Sequence, residues 1–230
     1  AKPAVPFGGA YRLIDFVLSN LVNANMRKIA VLTQYKSHSL QKHLRDGWSI
    51  FNPELGEYIT AVPPQMRKGG AWYEGTADAI YHNMWLLSRN DAKYVVVLSG
   101  DHIYRMDYAA MLEEHKEKGA KLTVACMDVP VEDASAFGVM GTAENGLVTS
   151  FIEKPECPPT LPGSKTRSLV SMGIYIFNRK LLFDLLNNEC KDATDFGKEI
   201  IPQSISKYKV ASYQYEGYWT DIGNIYSFFE

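Results

Sequence analysis

Cysteine is scarce in this chain: Cys126, Cys157 and Cys190 are the three in 230 residues, far apart and without a Cys-x-x-Cys pair. That scarcity excludes a disulfide framework and a thiolate zinc site. It fits a reducing compartment, so a cytoplasmic location is expected. No apolar run is long enough to cross a bilayer and no signal peptide is visible, so no membrane partner is expected. Neither sign of charge prevails. With 24 Lys and Arg against 26 Asp and Glu, the formal charge of −2 provides no broad field for nucleic acid or an anionic surface. A negatively charged ligand must therefore be gripped by local groups. Internal repeats and low-complexity segments are lacking, as is a Gly-x-x-x-x-Gly-Lys phosphate loop. The chain also lacks an initiating methionine and stops on Phe228-Phe229-Glu230, two aromatics that need something to pack against. An extension beyond each end is the expectation. What remains is an ordinary globular composition, 46% hydrophobic and 22% charged, enough for one large α/β domain or two small ones.

Among the residues present, the most pointed stretch runs from Tyr94 to Tyr104. Val95-Val96-Val97-Leu98 reads as a strand buried on both faces, and it breaks off at Ser99-Gly100-Asp101-His102. Open α/β sheets bind ligands beyond the carboxyl ends of their strands, which is where Asp101 would sit, with Gly100 permitting close approach. A turn-capping aspartate accounts for the same residue equally well.

Around it, apolar spacing predicts a helix from Leu13 to Ala24, a strand from Lys28 to Thr33, and a helix from Ser37 to Leu44. Ser37 is the expected N-cap and Gly47 the expected close. A strand at Glu57 to Val62 leads into Pro63-Pro64-Gln65-Met66-Arg67-Lys68-Gly69-Gly70, either a solvated connector or a lid beside an anion site. Trp72 to Ala79 runs into a helix with Ile80, Met84 and Leu87 on one face. Thr76 or Asp78 would satisfy its first N–H groups, and Gly75 would let the backbone approach a flat or anionic ligand. Asp107 and Gly119 bracket another helix, whose His115 reads as a core-edge residue rather than a ligand. Lys121 to Val129 is the next strand, so a mainly parallel sheet covered by helices is expected.

The second half reads differently. Phe137 to Gly141 and Leu147 to Glu153 form a hairpin over Asn145-Gly146. Pro155 would hold Lys154 extended, as a solvated edge charge or as a point-charge clamp for phosphate. A Pro-rich loop, a strand from Val170 to Phe177, a helix from Lys180 to Leu186, a further helix start at Asp195-Phe196-Gly197 and a strand from Val210 to Tyr215 follow. Asp221, in Tyr218-Trp219-Thr220-Asp221-Ile222-Gly223, is a second candidate carboxylate.

Taken in order, these segments resemble the nucleotide-sugar pyrophosphorylases, and specifically the bacterial glucose-1-phosphate adenylyltransferases. The resemblance is carried by Lys2-Pro3-Ala4, Arg12-Leu13-Ile14-Asp15-Phe16, Leu32-Thr33-Gln34-Tyr35, Trp72-Tyr73 with Gly75-Thr76-Ala77-Asp78, and Gly100-Asp101-His102-Ile103-Tyr104. It continues through Ala136-Phe137-Gly138, Glu153-Lys154-Pro155, Ser171-Met172-Gly173, Asp195-Phe196-Gly197 and Trp219-Thr220-Asp221. It implies a Rossmann-like three-layer α/β nucleotidyltransferase fold with a mainly parallel, mixed central sheet. It also implies one domain over residues 1–230, lacking the family's glycine-rich phosphate loop and C-terminal β-helix, so activity in the parent does not guarantee activity in this stretch alone.

The implied reaction transfers AMP from ATP to glucose 1-phosphate, giving ADP-glucose and pyrophosphate for glycogen synthesis. UTP- or dTTP-dependent members and a non-catalytic regulatory subunit are the alternatives. By resemblance, Asp101 and Asp221 hold Mg²⁺ and Lys154 holds the sugar phosphate. Glu153, Tyr73, Gly138 and Ser171 complete the sugar subsite, Gly75, Thr76, Ala77 and Asp78 lie near the base, and Lys2 faces the nucleotide phosphates. Gln34, Trp72 and the Pro63–Trp72 loop are implied to couple small-molecule effectors to the site, in a homotetramer.

Overall fold

The computed structural model describes residues 2–34, 37–64, 72–89 and 91–222. The expected features at Tyr35, in most of the Pro63–Trp72 loop, and at Gly223 and the terminal aromatics lie outside the described residues. In chain order the first elements are the short strands β1 (Pro6–Phe7) and β2 (Tyr11–Arg12), helix α1 (Leu13–Asn23), strand β3 (Lys28–Leu32), helix α2 (His38–Gly47) and strand β4 (Tyr58–Val62). Helices α3 (Thr76–His82) and α4 (Met84–Ser88), strands β5 (Tyr94–Leu98) and β6 (His102–Tyr104), helix α5 (Tyr108–Glu117) and strand β7 (Leu122–Pro130) follow. The chain continues with strands β8 (Gly138–Thr142), β9 (Val148–Glu153) and β10 (Arg167–Asn178), helices α6 (Arg179–Asp184) and α7 (Ile201–Lys207), and strands β11 (Val210–Gln214) and β12 (Trp219–Asp221). Among the described residues no helix is long and apolar enough to cross a membrane.

The fold is α/β and divides into two compact units. The first takes Ala1–Tyr73, Ser99–Ala109 and Gly217–Glu230. In it α1 buries Leu13, Ile14, Val17, Leu18 and Leu21, the stripe that a 3.6-residue period demands. Asp15 opens the helix by accepting a hydrogen bond from the Arg12 N–H at 2.8 Å, and the left-handed Asn25 (φ 58°) closes it while the Met26 N–H returns to the Leu21 carbonyl. The expected β-α-β unit is present, with β3 and β4 parallel in register Lys28↔Tyr58 to Leu32↔Val62 and α2 between them in sequence. Ser37 departs from expectation. It lies in helical rather than extended backbone (φ −86°, ψ −6°), so its hydroxyl does not cap α2 and instead accepts from Gln41 Nε2 at 2.8 Å.

The second unit takes Glu74–Leu98 and Ala110–Glu216. Its sheet runs β11-β7-β10-β8-β9, with β5 also laddered to β10. Strands β5, β7 and β11 point the same way, β10 opposes them, and β8 and β9 form the expected antiparallel hairpin across Asn145-Gly146. The sheet is therefore mixed around one long reversed strand. Strand β5 departs from expectation: its five residues are half-buried rather than enclosed on both faces, and its described ladder runs to β10 alone. The helix expected across Ile80, Met84 and Leu87 is broken at Asn83, whose side-chain amide donates to the Ala79 carbonyl at 2.8 Å. The core gathers Leu122, Val124, Phe177, Leu182, Leu185, Phe196 and Ile200, with the Phe177 and Phe196 rings 5.4 Å apart.

His115 ties α5 to this sheet. It is buried, Nδ1 lies 2.7 Å from the Thr123 hydroxyl and Nε2 lies 2.7 Å from Asn178 Oδ1. Both contacts suit a neutral ring that donates from Nε2 and accepts at Nδ1. Burial holds its pKa below the usual histidine value, against the pull of Asn178, and Lys121 and Lys116 act in the same direction as burial. The folded chain thus keeps His115 neutral where the unfolded chain takes up a proton. Its stabilising contribution is complete above the unfolded value of about 6.5 and shrinks as pH falls through that value toward the folded one. Denaturant midpoints measured at about pH 7.5 and about pH 5.5 should fall with acidity, and His115→Gln, which cannot take up that proton, should reduce the drop.

Candidate functional site

The candidate residues assemble into two clusters, one in each unit. In the first unit β6 and β12 pair antiparallel, with His102 opposite Asp221, Thr220 opposite Ile103 and Trp219 opposite Tyr104. The Ile222 N–H donates to the Asp101 carbonyl at 3.2 Å. Backbone pairing alone therefore draws the two acidic segments together. His102 Nε2 lies 3.8 Å from Asp101 Oδ1 and 3.7 Å from Asp221 Oδ1, and one ligand atom from each of the three residues falls within 4.8 Å of the others. The Ser99 hydroxyl orients Asp101 by donating to Oδ1 at 2.6 Å. Two carboxylates at that spacing suit a hard divalent cation that keeps sites open for phosphate oxygens, so the donor set fits Mg²⁺.

His102 was not singled out in the sequence, although it stands in the same run as Asp101. It is buried, its ring meets Trp219 edge to face at 5.3 Å, and no periodicity signals that. Lys2 sits on a short turn whose Pro3 fills the space beside Gly100: a Cβ on Gly100 would come 3.2 Å from Pro3 Cγ. The Lys2 segment and the Asp101 segment thus pack against each other. Gln34 Nε2 reaches the Tyr73 carbonyl at 3.5 Å, while the adjacent Trp72 is exposed.

In the second unit the β8–β9 register sets Gly138 directly across from Glu153. A Cβ on Gly138 would stand 2.9 Å from Glu153 Oε2, and one on Gly197 only 2.5 Å from it. Glycine at both places leaves room for the carboxylate, and at 138 it first clears the Phe151 ring, whose Cζ would lie 2.4 Å from such a Cβ. Burial, then the neighbouring Asp195, lift the Glu153 pKa above the ordinary carboxylate range, while Lys154 and Lys198 pull it back. Lys154 is not extended, as its proline neighbour suggested. Its φ is +48°, and the Lys154 N–H donates to the Phe137 carbonyl at 3.0 Å. That bond and the hairpin hold a non-glycine residue in the left-handed region, a strain that clusters at functional positions. Ser171 lies where the β7–β10 register slips between Ser171 and Tyr175, and its hydroxyl accepts from the Gly173 N–H at 3.2 Å, with Gly173 at φ +68°.

The start of α3 corrects a further expectation. Its first N–H groups are not satisfied by Thr76 or Asp78: the Ala77 and Asp78 N–H groups both donate to the Thr194 carbonyl, at 2.9 and 3.2 Å. A Cβ on Gly75 would lie 2.3 Å from that oxygen, so this glycine makes room for the chain itself. Ala77 is fully buried and offers no surface to a ligand. Asp78 accepts from the Glu74 N–H at 3.0 Å and pairs with His82 at 3.2 Å. Thr76 remains exposed, its hydroxyl 3.4 Å from Asp195 Oδ2. Asp195 itself caps the following turn through the Gly197 and Lys198 N–H groups, at 2.9 and 3.0 Å. Its proximity to Glu153 was hidden in a sequence that separates the two by a strand and two helical segments.

The nucleotidyl transferase family model matches residues 1–230, and hence both units. A protein of Vibrio parahaemolyticus named glucose-1-phosphate adenylyltransferase 2 is 73% identical over all of this chain and 60% of its own length. Proteins of the same name from Vibrio vulnificus strain CMCP6 and Alkalilimnicola ehrlichii are 64% and 49% identical, over 100% and 99% of this chain and 60% and 56% of their own. This chain thus spans about 60% of the length of these two Vibrio relatives. A match over the whole chain makes this chain a member of the nucleotidyl transferase family.

Proposed function

We propose that the protein carrying this chain transfers AMP from ATP to glucose 1-phosphate, releasing pyrophosphate. The observation that carries this reading is the β6–β12 pairing, which brings Asp101 and Asp221 together beside His102, in a chain 73% identical to a protein named for that reaction. Two phosphates that repel each other must be aligned and neutralised, and neither a nucleophilic side chain nor a covalent intermediate is needed. Asp101 and Asp221 would hold Mg²⁺, which when bound supplies charge neutralisation and orientation at phosphate oxygens.

The remaining roles fall to the chain's own groups. Lys154, exposed on a strained backbone, meets the phosphate of the sugar as a point charge. Glu153 accepts from sugar hydroxyls, with its partial burial and the two facing glycines restricting where a ring can lie. Tyr73, Gly138 and Ser171 line the same substrate. On the nucleotide side we assign Lys2 to the phosphates and Gly75, Thr76 and Asp78 to the base, without Ala77. A cytoplasmic homotetramer governed by small-molecule effectors acting through Gln34 and Trp72 belongs to the same proposal, on the resemblance alone.

Pyrophosphate release assayed on the intact protein with glucose 1-phosphate and ATP, UTP or dTTP should favour ATP; preference for another nucleotide would overturn the assignment. Asp101→Asn should lower kcat by roughly a thousandfold while leaving the melting temperature close to wild type, and near-normal turnover would remove Asp101 from the metal site. Lys154→Gln should raise KM for glucose 1-phosphate by roughly tenfold or more and shift KM for ATP far less. Equal shifts would mean that Lys154 does not hold the sugar phosphate.

A further inference from the structure

We propose that Glu199 is a positioning residue that locks the nucleotide-side and sugar-side segments of the second unit to one turn of chain, Thr194 to Gly197. This rests on the reading of Gly75–Asp78 and Glu153 given above, and it assigns work to a residue outside both segments. The Glu199 carboxylate lies just past the turn and folds back over it. Its Oε2 accepts from the Thr194 N–H at 2.7 Å, from the Asp195 N–H at 3.0 Å and from the Thr194 hydroxyl at 3.4 Å. Hydrogen bonds from backbone N–H groups to a carboxylate are among the stronger ones, and they fix backbone rather than mobile side chains. Consistent with that, those two N–H groups hold the Glu199 pKa below its ordinary value.

The anchored turn has two outputs. On one side the Thr194 carbonyl accepts from the Ala77 and Asp78 N–H groups, in the space left by Gly75. That bond pair sets where the Gly75–Asp78 segment begins its helix. On the other side Gly197 stands against Glu153 so closely that a Cβ there would come 2.5 Å from Oε2. The Asp195 side chain spans the middle, capping Gly197 and Lys198 and meeting Thr76. A turn released from Glu199 would therefore loosen two substrate segments at once. Asp101 and Asp221 belong to the other unit and are not among the groups that Glu199 holds, so the chemical step would keep its machinery.

The test uses the intact protein and the variants Glu199→Ala and Glu199→Gln. An amide oxygen still accepts from N–H groups, so the glutamine variant should stay close to wild type. In the alanine variant, amide exchange at Ala77 and Asp78 should quicken by roughly tenfold. KM should rise by roughly tenfold for both ATP and glucose 1-phosphate while kcat changes by less than about threefold. If the alanine variant does not fold, Glu199→Ser, which loses the reach but stays polar, carries the same expectations. Unchanged exchange at Ala77 and Asp78 with both KM values intact, and only a lower melting temperature, would reduce Glu199 to a stabilising cap and overturn the proposal. So would a glutamine variant as impaired as the alanine one. Should the wild-type protein turn over neither substrate, the functional reading fails by itself, and the exchange comparison still decides the positioning role.

Discussion

Hydrogen bonding between strands distant in sequence is the constraint on which the candidate site depends. Asp101 and Asp221 are neighbours because β12 lies against β6, with Asp221 opposite His102. Gly138 faces Glu153 because β8 and β9 pair in a single register. Side-chain alternation in strands has a period of two, so a slip of one residue in either pairing would turn these groups to the opposite face. The hydrophobic faces of the strands guard the register. Phe151 and Val148 of β9 and Val139 and Met140 of β8 are buried on the two faces of the hairpin, and a slip would force all four to repack.

The second constraint is space around carboxylates. Glu153 is admitted by two glycines, and the Thr194 carbonyl by a third, Gly75. These glycines serve close approach between parts of the chain, not conformational freedom, since none of the three has positive φ. Confinement has an electrostatic consequence. Glu153 is partly desolvated beside Asp195, which raises its pKa, and Lys154 and Lys198 moderate the effect. A cluster of this kind, with charges of both signs held by backbone turns, sets the local charge in a chain whose overall charge of −2 provides no broad field.

Much of the architecture was legible because local signals agreed with it. The α1 stripe, the β3–α2–β4 unit, the Asn145-Gly146 hairpin and the helix closed by Gly119 all follow from periodicity and turn chemistry. Corrections arose where tertiary contacts took over a local role. Lys154 sits at positive φ because its N–H is claimed by Phe137, against the preference of a residue before proline. The first N–H groups of α3 are claimed by Thr194 instead of nearby side chains. Strand β5 is half-buried, its described ladder running to β10 alone, and a strand's place in a sheet leaves no mark on an apolar run.

The sequence by itself determined the chemistry available here: which carboxylates, lysines and glycines exist, in which local segments, and hence which family the chain resembles. Tertiary structure alone decided which of them meet. His102 joins Asp101 and Asp221, Asp195 comes to bear on Glu153, and Glu199 holds the turn that touches both. Periodicity and turn signals report interactions over a few residues, whereas these contacts are made by strand pairing and backbone packing across long stretches of chain, whose register is selected by burial of the whole core.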